Sequence, residues 1–299
     1  MMTKNNTAKI LIFIIILSLS VSAFMVFSQS YKQNNPSQIK SQFDRQTKIK
    51  ILIVPGHEPN AGGADEFKKI KERDLNLQLS LLLKKDLTLN SNLDVILARD
   101  ENGWNTDLEK YVKTSSTTIM SWVADMKEKM MNKVDAGEIK LIDPNIKHNN
   151  AASNAVLFLY GTNKWIEKNN IDLVLHVHFN NNPKINGKPN YSGYCMYIPE
   201  HQYSNYSSSK IFADYLSDEI SKIQKPSNMP QEKDTIIEDQ ALIATGNYDT
   251  LKIPSVVVEY AYIYEPMMLA STTRNKFIET AASSTATAIN TYTKKEFEQ

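Results

Sequence analysis

The sequence predicts an α/β domain in which helices flank a mostly parallel or mixed twisted sheet. Two observations support this fold class: short apolar runs of strand length recur along the chain, and segments with helical periodicity separate them. About 250 residues follow the N-terminal segment, and this length is sufficient for one domain with a substantial core. We therefore expect a single domain over residues 49–299.

The first part of this domain contains two predicted strands and one predicted helix. Residues 50–54 form an apolar, β-branched run that leads into a Pro-Gly pair, which is typical of a buried strand ending in a tight turn. A helix is predicted to begin near Glu72, because acidic residues in a first turn favour the helix dipole and the leucine-rich residues 75–83 follow. Residues 94–97 predict the second strand.

A stretch longer than a simple crossover follows the second strand, and we describe it as an insertion of about residues 101–147. Apolar side chains at helical spacing predict an amphipathic helix over residues 117–133. These side chains are Ile119, Trp122, Val123, Met126 and Met130. Two interpretations are open: the helix packs in the ordinary way on the sheet, or it is a lid that covers a site.

The rest of the domain contains three more predicted strands and three more predicted helices. The strands cover residues 171–179, 193–198 and 253–258, and the helices cover about residues 150–168, 208–223 and 272–294. In the 208–223 helix we expect an apolar face to be buried, which consists of Ile211, Tyr215, Ile220 and Ile223.

Potential metal ligands lie where these elements end. His57 is the first side chain beyond the first strand's turn, His178 lies at the end of the 171–179 strand, and Glu259 ends the 253–258 strand. Glu72 lies at or near a helix N-terminus. Burial of the Glu259 carboxylate at the end of its strand would cost several kcal/mol of folding free energy unless the carboxylate is paired or functional. Open zinc sites of hydrolases are assembled from such distant residues, so the pattern indicates metal-dependent chemistry.

Each of these residues has a plainer alternative. His57 can be a surface turn residue, and Glu72 can simply complement the helix dipole. His176 competes with His178, because residues two apart on a strand face the same side and such a pair can chelate one metal ion. Spacing alone does not choose between them.

Five ordered blocks of this sequence resemble one family of bacterial cell-wall hydrolases, the zinc-dependent N-acetylmuramoyl-L-alanine amidases. The resemblance extends from about Lys48 to the C-terminus. The blocks cover residues 53–57, 71–77, 94–100, 178–180 and 254–259.

The resemblance implies a site and a reaction. His57, Glu72 and His178 match the three zinc ligands, Glu259 matches the catalytic carboxylate, and His176 is left to contact substrate or to hydrogen-bond a ligand. The implied cofactor is Zn²⁺, and the implied substrate is peptidoglycan. The bond cleaved would be the amide between N-acetylmuramic acid and L-alanine, so that the stem peptide leaves the glycan.

Two other functions stay open. The first is another zinc amidase or peptidase, because residues 58–63 and 260–264 depart from the family pattern and would alter the groove. The second is a membrane-anchored protein that binds the wall or regulates another protein without turnover. A regulatory protein partner is also open, and its identity is unknown from the sequence.

The N-terminus predicts export. Residues 10–27 form an uninterrupted run whose only polar members are serines. It follows Lys4 and Lys9 and is long enough to cross a hydrocarbon core of about 30 Å. Residues 1–28 are therefore a signal anchor or a signal peptide, and the polar residues 29–48 are a flexible tether. We expect an extracytoplasmic enzyme that is anchored in the cell membrane, or secreted if the segment is cleaved.

Composition excludes several classes of site and partner. The 34 basic and 33 acidic residues nearly balance, so no electrostatic argument supports DNA or RNA as a partner. Cys195 is the single cysteine, so it cannot form an intramolecular disulfide, and we expect it to be a small buried residue of a strand. His148 and His201 lie in polar stretches, and we expect both to be exposed.

Overall fold

A six-stranded sheet lies at the centre of the protein. The computed structural model describes residues 48–59, 66–67, 69–144, 146, 153–181 and 190–298. Its strands are β1 (Ile49–Pro55), β2 (Glu66–Phe67), β3 (Ile70–Lys71), β4 (Leu93–Leu97), β5 (Arg99–Asp100), β6 (Gly103–Trp104), β7 (Leu173–Asn180), β8 (Cys195–Pro199), β9 (Ile236–Asp239) and β10 (Ser255–Tyr262). Its α-helices are α1 (Glu72–Leu87), α2 (Thr106–Thr114), α3 (Ser116–Asp135), α4 (Ser153–Lys168), α5 (Tyr206–Ile220), α6 (Pro266–Leu269) and α7 (Ser271–Glu296). Three short 3-10 turns cover Pro230–Glu232, Ile243–Thr245 and Asn247–Asp249.

The strand order of the central sheet is β4-β1-β7-β10-β8-β9. The four strands from β4 to β10 are parallel, β8 runs antiparallel to β10, and β9 is parallel to β8. The carboxyl ends of β1, β7 and β10 therefore lie at one edge of the sheet, and the end of β8 lies at the opposite edge. This arrangement confirms the predicted α/β fold with a mixed sheet.

Helices cover both faces of the sheet. On one face, side chains of α2 and α4 pack with Leu52 of β1 and Val174 of β7. On the other face, Phe277 of α7 packs edge-on against Phe179 of β7, and Phe212 of α5 packs against Tyr292 of α7 with the two rings tilted. Strands covered on both faces need apolar side chains on both sides, which explains their nearly continuous apolar sequences.

The insertion contains two helices, although the sequence predicted only one. Helix α2 is short, and Asn105 caps it by accepting hydrogen bonds from the backbone N–H groups of Asp107 and Leu108. Helix α3 packs through Ile119 and Val123 against Tyr160 of α4. These contacts are ordinary packing, and none of them involves the predicted metal ligands, so they give no support to a lid.

The predicted apolar face of α5 was partly wrong. Ile220 is buried, but Ile211 is 41% exposed, and Phe212 and Leu216 fill the core instead. Ile211 and Tyr215 each lie one residue before a buried position. The edge strand β9 was also missed, because its four residues include two acidic ones and short edge strands carry little apolar signal.

The predicted membrane segment, residues 10–27, lies outside the described residues. Within the part of the chain that is described, no helix has the length and apolar character needed to span a bilayer. Residues Lys48–Thr293 form one compact unit.

Candidate metal centre

The structure brings His57, Glu72 and His178 together at the edge where β1 and β7 end. One potential ligand atom from each residue lies within 4.8 Å of the others. His57 follows β1 directly after Gly56, Glu72 is the first residue of α1, and His178 lies near the end of β7. Three segments that are distant in sequence therefore supply two imidazoles and one carboxylate to one place.

The Glu72 carboxylate lies between the two imidazoles. Its Oε2 is 2.7 Å from His57 Nε2, and its Oε1 is 3.0 Å from His178 Nδ1. The side chain of Glu72 is 6% exposed, whereas those of His57 and His178 are about one quarter exposed, at 26% and 25%. The carboxylate is thus buried, and the imidazoles are open to solvent on one side.

The electrostatics of this cluster favour an ionised carboxylate. Burial raises the pKa of Glu72, but the hydrogen bonds and charges of His178 and His57 outweigh burial and hold the pKa well below its usual range. Asn76, one turn along α1, and the backbone N–H of Phe179 also donate to Glu72 Oε1, both at 3.3 Å. Glu72 is therefore held as a negative charge in a fixed orientation.

The turn that carries His57 has an unusual backbone, because His57 has a φ of 67° in the left-handed region. Arg99 holds this turn: its side chain is buried and donates to the carbonyls of Pro55 and Gly56 at 3.0 and 2.7 Å. It also donates to the carbonyl of Arg73 at 2.8 Å, which joins the turn to the start of α1. Burial lowers the pKa of Arg99 to about 10, so the guanidinium stays charged at neutral pH.

Gly56 makes room for the His178 ring. A Cβ atom at position 56 would lie only 2.2 Å from His178 Cε1 and 2.4 Å from its Nε2. The glycine carbonyl also accepts a hydrogen bond from Asn76 at 3.2 Å. A side chain at this position would therefore displace the ring from Glu72.

Glu259 lies beside the cluster on the neighbouring strand. The parallel register of β7 and β10 pairs Glu259 with His178, and paired residues of adjacent strands point to the same face of the sheet. The register shifts between Glu259 and Tyr262, directly after this pair. Such bulges often occur next to active sites, where they redirect a side chain.

His176 shares the face of His178 but lies deeper in the sheet. It pairs with Val54 on β1 and with Val257 on β10, and it is 2% exposed. Burial lowers its pKa to about 3, with a smaller contribution from the charge of His178. His176 is therefore a neutral core histidine, and the three-residue cluster contains His178 in its place.

Glu232 is a buried carboxylate that no sequence pattern had singled out. It is fully buried in the 3-10 turn Pro230–Glu232. Its oxygens accept hydrogen bonds from Asn180 at 2.9 Å, from Tyr197 at 3.1 Å, from Tyr262 at 2.6 Å and from Ser227. These donors belong to β7, β8, β10 and a loop, so Glu232 joins the strands that carry His178 and Glu259.

Three further expectations concern single residues. Cys195 is a buried free thiol in β8, which confirms the prediction for this residue, and burial raises its pKa well above the ordinary value. His148 lies outside the described residues. His201 is exposed, as expected, but it is also paired with two carboxylates, Glu200 and Glu238.

The supporting residues were harder to find from sequence than the cluster itself. Gly56 and Arg99 lie within the sequence blocks that support the resemblance, but the sequence did not predict which groups they contact. Asn76 also lies in such a block. Glu232 lies in a polar loop with no motif, and only the hydrogen bonds of the folded chain distinguish it.

The donor set fits a zinc ion. Two imidazole nitrogens and one carboxylate form a ligand set that is common at open zinc sites. The buried, ionised Glu72 and the close approach of all three ligand groups agree with this fit. The same groups would accept other divalent transition metals, so the fit concerns the class of ion.

Comparison with known proteins gives a matching sequence family. The sequence model of the N-acetylmuramoyl-L-alanine amidase family, Amidase_3, matches residues 51–291. A comparison with curated proteins gives no match.

Solved structures of similar fold are also amidases. The CwlD amidase from Clostridioides difficile, solved in complex with the GerS lipoprotein, is 18% identical with a TM-score of 0.54, and the match covers 82% of this chain and 98% of that one. The catalytic domain of CwlV from Bacillus (Paenibacillus) polymyxa var. colistinus is 16% identical with a TM-score of 0.51, covering 82% and 97%. The amidase Ami1 from Mycobacterium abscessus is 13% identical with a TM-score of 0.51, covering 82% and 99%. At these identities the likeness establishes the shared fold.

Proposed function

Because this chain belongs to the N-acetylmuramoyl-L-alanine amidase family, we propose that it is a zinc-dependent enzyme that cleaves the amide bond between N-acetylmuramic acid and L-alanine in peptidoglycan. The observation that carries this proposal is the meeting of His57, Glu72 and His178 at one edge of the sheet, with Glu259 on the adjacent strand. The products are a free stem peptide and a glycan that retains its lactyl group.

His57, Glu72 and His178 would hold the zinc ion. When bound, zinc supplies a Lewis acid for the hydrolysis of an unreactive amide. Asn76 and the N–H of Phe179 keep the Glu72 carboxylate in place, and Arg99 keeps the turn that carries His57 in place. These contacts pre-organise the ligands, so that little reorganisation accompanies metal binding.

Glu259 is the proton-transfer residue in this proposal. Its pairing with His178 directs it to the same face of the sheet as the cluster. The carboxylate accepts a proton from the attacking water and delivers it to the amine of L-alanine as the C–N bond breaks. General acid–base catalysis of this kind contributes about 10²- to 10⁴-fold to the rate.

We also propose that the enzyme acts outside the cytoplasm, where its substrate lies. The apolar residues 10–27 would anchor the chain or serve as a signal peptide, and the polar residues 29–48 would form the tether to the catalytic domain. A positive flank at Lys4 and Lys9 would keep the N-terminus in the cytoplasm.

The test is the release of peptides from purified peptidoglycan by residues 30–299, analysed by mass spectrometry. Zinc and a chelator are compared, and Glu259→Gln is compared with Glu279→Gln, a matched change at an exposed position of α7. We expect stem peptides that begin with L-alanine, loss of release in chelator and in Glu259→Gln, and full release by Glu279→Gln.

Other outcomes would redirect the proposal. Hydrolysis of short peptides that lack muramic acid, without release from peptidoglycan, would indicate a different zinc amidase or peptidase. A folded, zinc-loaded chain that retains peptidoglycan but releases nothing would indicate a wall-binding protein. Undiminished release by Glu259→Gln would remove Glu259 from the mechanism.

A further inference from the structure

A second cluster of metal-ligating side chains lies at the other end of the strands, away from the carboxyl ends of β1, β7 and β10. Glu200 and His201 directly follow β8, and Glu238 belongs to the neighbouring strand β9, which is the outermost strand of the sheet. Because β8 is antiparallel to β10, its end lies away from the edge where His178 and Glu259 lie. This cluster is therefore separate from the candidate active site.

The three side chains converge on one point. His201 Nδ1 is 2.6 Å from Glu200 Oε1 and 2.8 Å from Glu238 Oε2, and the ligand atoms of all three residues lie within 4.8 Å of one another. The first cluster shows the same pattern, in which imidazole nitrogens contact carboxylate oxygens. Here one imidazole and two carboxylates are combined.

The Glu200 carboxylate is buried and has a fixed orientation. The residue is 2% exposed. Its Oε2 accepts hydrogen bonds from the backbone N–H and side-chain amide of Gln202, at 3.2 and 2.9 Å, and from the amide of Gln240 at 3.4 Å. The amides of Gln202 and Gln240 also bind the carbonyl of Lys140, so the segment after α3 holds them in place. These contacts direct Oε1 towards His201.

Oε1 of Glu200 is buried and makes no well-aligned hydrogen bond within the part of the chain that the structure describes, although His201 Nδ1 lies 2.6 Å away. The hydrogen bond of His201 Nδ1 is made to Glu238 Oε2. One imidazole nitrogen carries at most one proton, so a single N–H faces the oxygens of two carboxylates. Among the described residues, no lysine or arginine forms an ion pair with either carboxylate. Two carboxylates that share one N–H are poorly compensated where one of them is buried, and a bound cation would remove this cost.

We propose that Glu200, His201 and Glu238 form a second binding site for a divalent cation of the zinc class. The ligands would be Glu200 Oε1, His201 Nδ1 and Glu238 Oε2, with solvent completing the coordination because the side chain of His201 is 57% exposed. Two carboxylates and one imidazole suit zinc and similar ions better than they suit monovalent cations. A bound ion would join the end of β8 to the edge strand β9.

The test isolates the second site by removing the first. In a His178→Gln background, the chain is exposed to excess zinc alone, passed through a desalting column and analysed for bound metal and thermal stability. We expect one zinc ion per chain and a higher midpoint of thermal unfolding in zinc, because an ion that binds only the folded state stabilises it. Adding His201→Gln should abolish both effects.

The controls separate metal ligation from folding. Glu238→Gln should also lose the ion, whereas Glu219→Gln, a partly exposed carboxylate paired with Lys222 on another surface, should retain it. Circular dichroism establishes that each variant is folded. Absence of zinc from the folded His178→Gln chain would overturn the proposal, and so would zinc that persists after His201→Gln and Glu238→Gln.

This test does not depend on the proposed amidase activity. A His178→Gln chain that keeps the second ion and loses peptide release supports both proposals. If the parental chain binds one ion only, and that ion depends on His201 but not on His178, the second site stands and the zinc ligands proposed for the active site are wrong.

Discussion

At the residue scale, the candidate active site depends on the absence of a side chain at position 56. The His178 ring occupies the space that a Cβ of residue 56 would fill, at distances of 2.2 to 2.6 Å. Gly56 also binds Asn76 and Arg99 through its carbonyl, so the backbone cannot easily move away. Gly56 therefore fixes the position of His178 relative to Glu72.

We predict that Gly56→Ala greatly lowers zinc binding and peptide release. Real Cβ contacts essentially never fall below 3.0 Å, so either the His178 ring or the turn must shift. Displacement of a ligand by about 1 Å can cost roughly a hundredfold in rate. Bound zinc per chain and release of stem peptides are the two measurements.

The matched control for this change is Gly137→Ala. Gly137 has a φ of 74°, and among the described residues no neighbouring atom lies within 4 Å of the position that an alanine Cβ would take. Alanine therefore strains the backbone there without a clash. A modest loss of stability with full zinc binding is expected. If Gly56→Ala binds zinc and releases peptides as the parental chain does, the close approach of Gly56 and His178 is unimportant.

At the element scale, Glu232 joins three strands of the sheet near the candidate site. Its oxygens accept hydrogen bonds from Asn180 of β7, Tyr197 of β8 and Tyr262 of β10. Burial raises the pKa of both tyrosines, and the adjacent Glu232 raises it further, so their hydroxyls stay protonated and act as donors. A carboxylate accepts from all of these donors, because it has about four acceptor positions.

We predict that Glu232→Gln lowers the free energy of unfolding by about 2 kcal/mol, the typical scale for hydrogen bonds to charged groups. Glutamine has nearly the same size, but an NH₂ donor replaces one acceptor oxygen. This NH₂ group would face another donor, either the amide of Asn180 or a tyrosine hydroxyl, so that at least one hydrogen bond is lost. Denaturant unfolding monitored by circular dichroism provides the measurement.

Glu109→Gln is the control, because Glu109 forms an exposed pair with Lys113 one helical turn away and such pairs contribute little. Its unfolding free energy should stay within about 0.5 kcal/mol of the parental value. Equal effects of the two substitutions would mean that the buried network around Glu232 does not stabilise the sheet.

At the scale of the whole molecule, the mixed sheet separates two clusters of ligating residues. The parallel strands β1, β7 and β10 bring the first cluster and Glu259 to one edge. The reversal of direction at β8 carries Glu200 and His201 to the other edge. The topology thus allows one cluster to serve catalysis and the other to serve a structural role.

We predict that the two clusters act independently. His201→Gln should keep peptide release within about twofold of the parental rate, because substitutions at distant sites without shared partners are usually additive. His178→Gln should abolish release but leave the ion at the second cluster. A large loss of release in folded His201→Gln would contradict this independence and would indicate coupling through the sheet.

The fold was predictable to the extent that its elements have local signals. The runs that became β1, β7 and β10 are apolar over strand length, and α1, α3 and α7 have helical patterns, so their positions followed from the sequence. The short α2 and the edge strand β9 were missed because few apolar residues mark them. Ile211 of α5 was misplaced because the choice of its buried face depends on the packing of Phe212 against α7.

By itself, the sequence determined where the candidate ligands lie on their elements, since strand ends and a helix start are local features. Spacing could not choose between His176 and His178, and the family resemblance favoured His178. The tertiary structure shows that His178 meets Glu72, because both histidines face the same side and only depth in the sheet separates them. Only the tertiary structure identified Glu232 and the Glu200, His201 and Glu238 cluster. Their contacts join segments distant along the chain, and strand register and packing, which no local pattern encodes, bring these segments together.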